Sequence, residues 1–92
     1  MNHTTTPEER IVYFIEMLKE SGMIKFKKEL FDKTELTRQH YTKVKNGNIR
    51  FTSNQIMSIC VNYPLNANWV FGTETNMFRD MEKYTIDNKN NK

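Results

Sequence analysis

The twelve-residue stretch LTRQHYTKVKNG, residues 36–47, places the strictest limit on how this chain can fold. Thr37 is a good N-cap residue, because its hydroxyl can accept a hydrogen bond from an unpaired amide of the first helical turn. Asn46 and Gly47 tolerate the left-handed conformation that closes a helix. The stretch therefore predicts one short helix, of about three turns, with a defined beginning and end.

This predicted helix has an apolar edge and a polar face. Tyr41 and Val44 are three residues apart and share one edge, and Leu36 pairs with Tyr41 as a hydrophobic staple. Five side chains project away from that edge: Arg38, Gln39, Thr42, Lys43 and Asn46. Arginine and glutamine pair bidentately with guanine and adenine edges, so this face suits a DNA groove. A polar helix face taken alone is more often simply solvated.

The distribution of charge favours the DNA-binding interpretation. Residues 1–22 have two basic and four acidic residues, residues 23–50 have eight basic and three acidic, and residues 51–92 have four of each. The basic excess of the whole chain, a net charge of +3, therefore lies in the segment that surrounds the predicted helix. A local basic excess of this kind is typical of a surface that contacts phosphates.

The segment before the stretch predicts two more helices. The motif TPEE at residues 6–9 is a capping box with proline at the first helical position, and Gly22 ends the helix that it begins. A shorter second helix over residues 25–33 turns Phe26 and Leu30 inward. About three residues separate it from the next helix, so the two should cross steeply, as in a helix-turn-helix unit.

Two short helices are also predicted after the stretch. The motif TSNQ at residues 52–55 is another capping box, and Pro64 ends its helix. Asn66 caps a fifth helix, which Gly72 stops. The apolar positions of the five helices predict one shared core: Phe14, Ile15, Leu18, Leu30, Tyr41, Val44, Ile56, Ile59 and Trp69.

The two ends of the chain differ from this helical middle. Residues 1–5 are expected to be a flexible lead and residues 85–92 a disordered tail, because both are too polar to pack. Residues 74–84 are a candidate C-terminal helix or dimer contact. Helical spacing of four apolar residues predicts a sixth helix over residues 75–84: Met77, Phe78, Met81 and Tyr84. This helix either folds back over the core or makes a dimer contact.

Composition disfavours several other classes of protein. The 92 residues suit one domain, expected over residues 6–73, and three Gly and two Pro are too few for a sandwich or barrel. No apolar run is long enough to span a membrane and the first residues lack a signal peptide, so we expect a cytoplasmic protein. Cys60 and two His supply no metal-ligand set and no nucleophile with its base, so we expect no enzyme, cofactor or metal.

The order of these elements resembles the phage-repressor (Cro-like, XRE) helix-turn-helix family. LTRQHYTKVKNG is similar to the recognition helix of that family and its Asn-Gly exit, and NYPLNANWVFGTETNMF, residues 62–78, is similar to the ending of many bacterial members. The resemblance covers about residues 8–79 and implies an all-α, lambda-repressor-like bundle of five short helices. The chain departs from the family at Phe31, where a small Ala is usual, and at Glu35, where the turn usually has Gly.

The resemblance implies a sequence-specific regulator of transcription, repressor-like and bacterial or phage, that places its third helix in the major groove of double-stranded DNA. It assigns base reading to Arg38, Gln39 and Thr42. It assigns contact with the DNA backbone to six further side chains: Lys27, Lys28, Thr37, Lys43, Asn46 and Asn48. His40 either lies near the groove or simply faces solvent.

Two expectations complete the functional interpretation. One small domain has too few base-reading side chains to specify a unique genomic site, so we expect a homodimer on a palindromic site, with its contact in the fifth helix and residues 75–84. The alternative function is a protein-interaction module on the same fold, such as an antirepressor or adaptor, that does not read DNA. The departures at Phe31 and Glu35 favour this alternative, and the basic segment opposes it.

Overall fold

The computed structural model describes residues 6–79, and within that range the chain has five α-helices and no β-strand. The helices are α1 (Pro7–Ser21), α2 (Lys27–Lys33), α3 (Arg38–Lys45), α4 (Ser53–Asn62) and α5 (Ala67–Val70). They confirm the predicted all-α class. Not one helix in this range is long and apolar enough to cross a membrane. The expected flexible lead, residues 1–5, and disordered tail, residues 85–92, lie outside the described residues.

Four of the five helices, α1, α3, α4 and α5, begin at the capping residues that the sequence indicates. The Thr6 hydroxyl accepts from the backbone N–H of Glu9 at 3.1 Å, and the Glu9 carboxylate accepts from the backbone N–H of Thr6 at 2.9 Å. Thr52 and Gln55 form the same reciprocal pair at the start of α4. Thr37 caps α3 by accepting from a first-turn amide at 3.1 Å. Each pair lies within one turn of helix, so local sequence was enough to predict it.

One apolar core joins the five helices. Eight of the nine predicted core residues are buried, and the ninth, Ile56, is partly buried and packs against the others. Seven further apolar residues are also buried: Ile11, Ile24, Leu36, Phe51, Tyr63, Leu65 and Val70. Several of these lie in loops between the helices, where no helical period marks them as inward-facing.

Phe26 is not part of this core, which corrects the prediction that it faces inward. Its side chain is 62% exposed. The helix begins two residues later than predicted, and Phe26 is its N-cap, with an extended backbone at φ −134° and ψ 147°. The side chain therefore lies before the helix and not on its buried face. Phe31, at the other end of α2, is the aromatic residue that packs against the core.

The sixth helix predicted over residues 75–84 is wrong in the part that the structure describes. Residues 75–79 are not helical, and Phe78 instead forms an isolated antiparallel bridge with Leu65. Residues 80–84 lie outside the described residues. The Phe78 side chain is partly buried against the core of its own chain, so this half of the segment folds back on the domain.

Backbone pairing with a distant loop explains why helical spacing misled the prediction. The backbone N–H of Asn66 donates to the carbonyl of Met77 at 2.9 Å, and its side-chain amide donates to the carbonyl of Asn76 at 2.8 Å. The Phe78 ring meets the Phe14 ring edge-on, with the ring centroids 5.9 Å apart. Two consecutive apolar residues suit an extended segment as well as a helix, and the partner loop decides between them.

Helix α1 packs against α3 and sets its position. Four of its residues are buried: Ile11, Phe14, Ile15 and Leu18. It packs against both α3 and α5. Tyr41 and Val44 are the buried residues of α3, as the sequence predicted. Because α3 is attached by this single edge, its opposite face is directed outward.

Candidate nucleic-acid interface

The outward face of α3 carries the three side chains predicted to read bases. Arg38, Gln39 and Thr42 are all exposed. The Thr42 hydroxyl donates to the Arg38 carbonyl at 3.0 Å, and its oxygen keeps the capacity to accept a hydrogen bond from outside. These residues occupy the first turn and the start of the second, so they share one end of the helix. The structure thus brings the three residues together at the N-terminal end of α3.

Arg38 lies over an aromatic ring of the preceding helix. Its guanidinium carbon is 5.9 Å from the centroid of the Phe31 ring, and that ring is 5.6 Å from the ring of Tyr41. A cation over an aromatic face is attracted by the negative potential of the ring, which restrains the side chain without burying its charge. Phe31 therefore links α2 to α3 and supports Arg38. The family that the sequence resembles usually has a small residue at this position.

The second departure from the family, Glu35 in the turn between α2 and α3, is also accommodated. Among residues 6–79, only Gly22, Gly47 and Gly72 have positive φ angles, so the position of Glu35 does not require glycine. The backbone N–H of Glu35 donates to the Ser58 hydroxyl of α4 at 3.2 Å. This hydrogen bond attaches the turn between α2 and α3 to α4.

Four of the six predicted backbone contacts lie exposed along α3 and just beyond it. Thr37 is the N-cap, Lys43 lies on the last turns, Asn46 is the C-cap, and Asn48 follows in the loop. Within residues 6–79, Lys43 makes no ion pair. The ammonium group of Lys43 is therefore available to an anion from solvent.

The other two predicted backbone contacts, Lys27 and Lys28, are paired with carboxylates. The Lys28 ammonium is 2.9 Å from Asp32, one turn away on the same helix, and both side chains are exposed. Exposed ion pairs of this type contribute little to the free energy of folding and break easily, so Lys28 remains accessible to a partner. The Lys27 ammonium is 2.6 Å from the carboxylate of Glu16 and is less exposed. Lys27 is therefore the less accessible of the two.

Glu16 of α1 belongs to this site, although nothing in the sequence indicated that role. Its carboxylate accepts hydrogen bonds from the Lys27 ammonium at 2.6 Å, the Tyr41 hydroxyl at 2.5 Å and the Lys45 ammonium at 3.3 Å. We call these four residues the Glu16 cluster. It links α1 to both α2 and α3 through donors that are 11, 25 and 29 residues distant in sequence. A local sequence pattern carries no signal for pairs so far apart.

The cluster keeps Glu16 ionised far into the acid range. Partial burial disfavours the charged carboxylate, but the hydrogen bonds from Lys27, Tyr41 and Lys45 outweigh it and lower the pKa of Glu16 to about 2. Burial, together with the bond to Glu16, raises the pKa of the Tyr41 hydroxyl. Tyr41 therefore remains a donor, and Glu16 an acceptor, throughout the neutral range.

We expect the Glu16 cluster to stabilise the fold at neutral pH and to lose that effect in acid. A carboxyl group whose pKa is lower when folded stabilises fully above its unfolded value, here 4.5, and this contribution disappears as the pH falls towards about 2. Glu16→Gln should therefore show a smaller decrease in urea-unfolding free energy between about pH 5 and pH 2 than the native chain. Glu20→Gln, an exposed change on the same helix, is the control. Equal decreases in the native chain and Glu16→Gln would contradict this expectation.

His40 has an internal role at the start of α3. Its Nε2 atom is 2.9 Å from the Arg50 carbonyl, and its ring stacks on the Phe51 ring with the centroids 6.3 Å apart. Phe51 is buried immediately before α4. His40 therefore ties α3 to the loop that leads into α4, and its ring is partly buried.

Known proteins do not assign this chain to a family. Comparison with family models, with curated proteins and with solved structures finds no match of any of the three kinds. The exposed polar face of α3 is the surface from which a function is proposed below.

Proposed function

We propose that this protein is a sequence-specific, double-stranded DNA-binding regulator that places α3 in the major groove. The observation that carries the proposal is the division of α3 into a buried edge and an exposed polar face. The two apolar residues of the helix are buried, and four exposed side chains can reach base edges or phosphates: Arg38, Gln39, Thr42 and Lys43. The major groove is about 12 Å wide and admits one helix attached in this way.

The electrostatics of the described residues support the same proposal. Within the segment 23–50, five exposed basic side chains make no ion pair with any of the described residues 6–79: Lys25, Lys33, Arg38, Lys43 and Arg50. This segment carries the basic excess of the chain. Cations that are not neutralised internally can replace the counterions of DNA phosphates, and that exchange drives binding.

The order of the elements adds further support. Four residues, 34–37, separate α2 from α3, and this short connection suits the helix-turn-helix of the phage-repressor family that the sequence resembles. Phe31 and Glu35, which favoured a protein-interaction module, are both accommodated without loss of the exposed α3 face. We therefore propose DNA reading, and not catalysis or protein docking, as the role of this face.

Selection from a random duplex library tests the proposal and yields the site in the same experiment. The purified chain should enrich a palindrome whose half-sites are about one helical turn apart. The selected duplex should bind at least about 10³-fold more tightly than a scrambled duplex at the same salt concentration. A library that shows no enriched sequence after repeated rounds, although the protein retains duplexes at low salt, would contradict sequence-specific reading.

We also propose that two copies bind the palindrome as a dimer. Residues 51–73 contain no charged side chain, so the exposed face of α4 adds no like-charge repulsion of its own between two positively charged copies. Met57 and Val61 of α4 and Phe71 after α5 are each more than half exposed there. The sequence placed the contact in α5 and residues 75–84, but Met77 packs against the core of its own chain, so we now favour α4 and α5.

A lysine on the exposed face of α4 should weaken the dimer. Val61→Lys places two like charges at the proposed contact, and we expect the dissociation constant of the dimer to rise by about tenfold or more. The control is Tyr13→Lys on α1, which adds the same charge at an exposed apolar position elsewhere. Sedimentation equilibrium with and without the palindromic duplex measures the change. Equal effects of the two variants would rule out this contact surface.

A further inference from the structure

The Glu16 cluster lies beside the proposed DNA-binding surface and is open to solvent. The side chains of Lys27, Glu16 and Lys45 are 29%, 34% and 49% exposed. Lys45 occupies the last turn of α3, two residues beyond the exposed Lys43. An anion that approaches the C-terminal end of α3 therefore finds two ammonium groups already arranged around one carboxylate.

A carboxylate and a DNA phosphate bind ammonium groups by the same chemistry. Both are oxyanions that accept short, charge-assisted hydrogen bonds. Glu16 therefore already makes, with Lys27 and Lys45, the kind of bond that each lysine could otherwise make with a phosphate. The two cations differ in how firmly they are held, because the distance to Glu16 is 2.6 Å for the less exposed Lys27 and 3.3 Å for the more exposed Lys45.

We propose that Glu16 is a positioning residue of the DNA-binding surface that competes with backbone phosphates for Lys45 and Lys27. Lys45 exchanges partners first, because its bond is longer and its side chain is more exposed. Glu16 thereby limits both the affinity and the salt dependence of DNA binding. Its hydrogen bond with Tyr41 keeps α3 packed against α1. This inference rests on the proposed function only in taking DNA as the polyanion.

Two matched variants of α1 test the inference. Glu16→Gln and Glu20→Gln each remove one negative charge. Of these two carboxylates, only Glu16 bonds to lysine side chains within residues 6–79. Glutamine at position 16 retains an oxygen that can accept a hydrogen bond from Tyr41. Affinity for a random-sequence duplex is measured across a series of KCl concentrations. We expect Glu16→Gln to bind more tightly than Glu20→Gln, with a plot of log affinity against log salt that is steeper by about 1 to 2. Equal slopes and affinities would overturn the inference.

A heparin column separates failure of this inference from failure of the proposed function. Glu16→Gln should elute at a higher salt concentration than Glu20→Gln, because heparin is a polyanion without base sequence. If this order holds and the library selection enriches no sequence, sequence-specific reading fails and the role of Glu16 stands. If the two variants elute together, the role of Glu16 fails whatever the selection shows.

If circular dichroism shows that Glu16→Gln does not fold, a second pair of variants tests the same inference. Lys43→Gln and Lys45→Gln alter exposed side chains of the same helix in the native background. Lys45→Gln should reduce the salt slope by less than Lys43→Gln, because Glu16 already neutralises part of the Lys45 charge while Lys43 has no ion pair within residues 6–79. Equal reductions would overturn the inference.

Discussion

Replacing Trp69 with alanine should lower the free energy of unfolding by about 3–5 kcal/mol, the usual cost of removing a large aromatic side chain from a core. Trp69 is 3% exposed and is the largest side chain of α5. The Arg10 guanidinium lies 5.3 Å from the centre of its ring and donates to its backbone carbonyl at 2.8 Å. The substitution therefore leaves a cavity and also removes the surface on which Arg10 rests. Urea unfolding followed by circular dichroism measures the loss.

Phe71 provides the control for that measurement. It is an aromatic residue two positions further along and is more than half exposed, so Phe71→Ala should cost less than about 1 kcal/mol. If Trp69→Ala also costs less than about 1 kcal/mol, Trp69 does not close the core and the packing of α5 against α1 has to be reconsidered.

The second large effect concerns base reading. Arg38→Ala and Gln39→Ala should each cost roughly 1–3 kcal/mol on the selected site and relax the preference at particular base pairs. Both side chains are exposed, so the fold should survive, and the thermal midpoint provides that check. Binding to the selected duplex and to each of its single base-pair variants measures the change. Loss of preference at one position per variant would identify the base that each residue contacts.

Lys43→Ala is the matched control on the same helix. Its ammonium makes no ion pair within residues 6–79, so its loss should weaken binding to all sequences about equally and reduce the salt slope by about 1. The base-reading assignment is wrong if Arg38→Ala also lowers affinity uniformly and leaves the sequence preference intact. In that case Arg38 contacts phosphate from its position over the Phe31 ring.

The sequence itself determined the helical class of the chain and the beginnings of α1, α3 and α4, because the groups that decide them are local. Thr6, Thr37 and Thr52 each bond to an amide three residues ahead, so a cap and its partner can be identified together. The buried edge of α3 was predictable for the same reason, since Tyr41 and Val44 are one turn apart. The outward direction of the polar face of α3 followed from that edge.

The tertiary structure alone decided which loop residues are buried and how the end of the domain packs. Ile24 and Leu65 lie outside the helices and belong to no hydrophobic staple, and only the shape of the assembled core accounts for their burial. Met77 and Arg79 belong to a segment whose apolar residues have helical spacing, but they pair with the backbone of a loop more than ten residues earlier. Long-range pairing of this kind overrides a local period, because it satisfies the backbone groups of both segments.

The same distinction applies to the proposed DNA-binding surface. The sequence indicated which side chains of α3 are exposed, but it treated Lys27 as a free cation. The fold brings Lys27 and Lys45 to the carboxylate of Glu16, from helices that are separate in sequence. Charge counted along a chain is additive, whereas the charge available to a partner depends on which groups the fold has already paired. That pairing depends on distances of 2.6 and 3.3 Å, which only the packing of α1 against α2 and α3 sets.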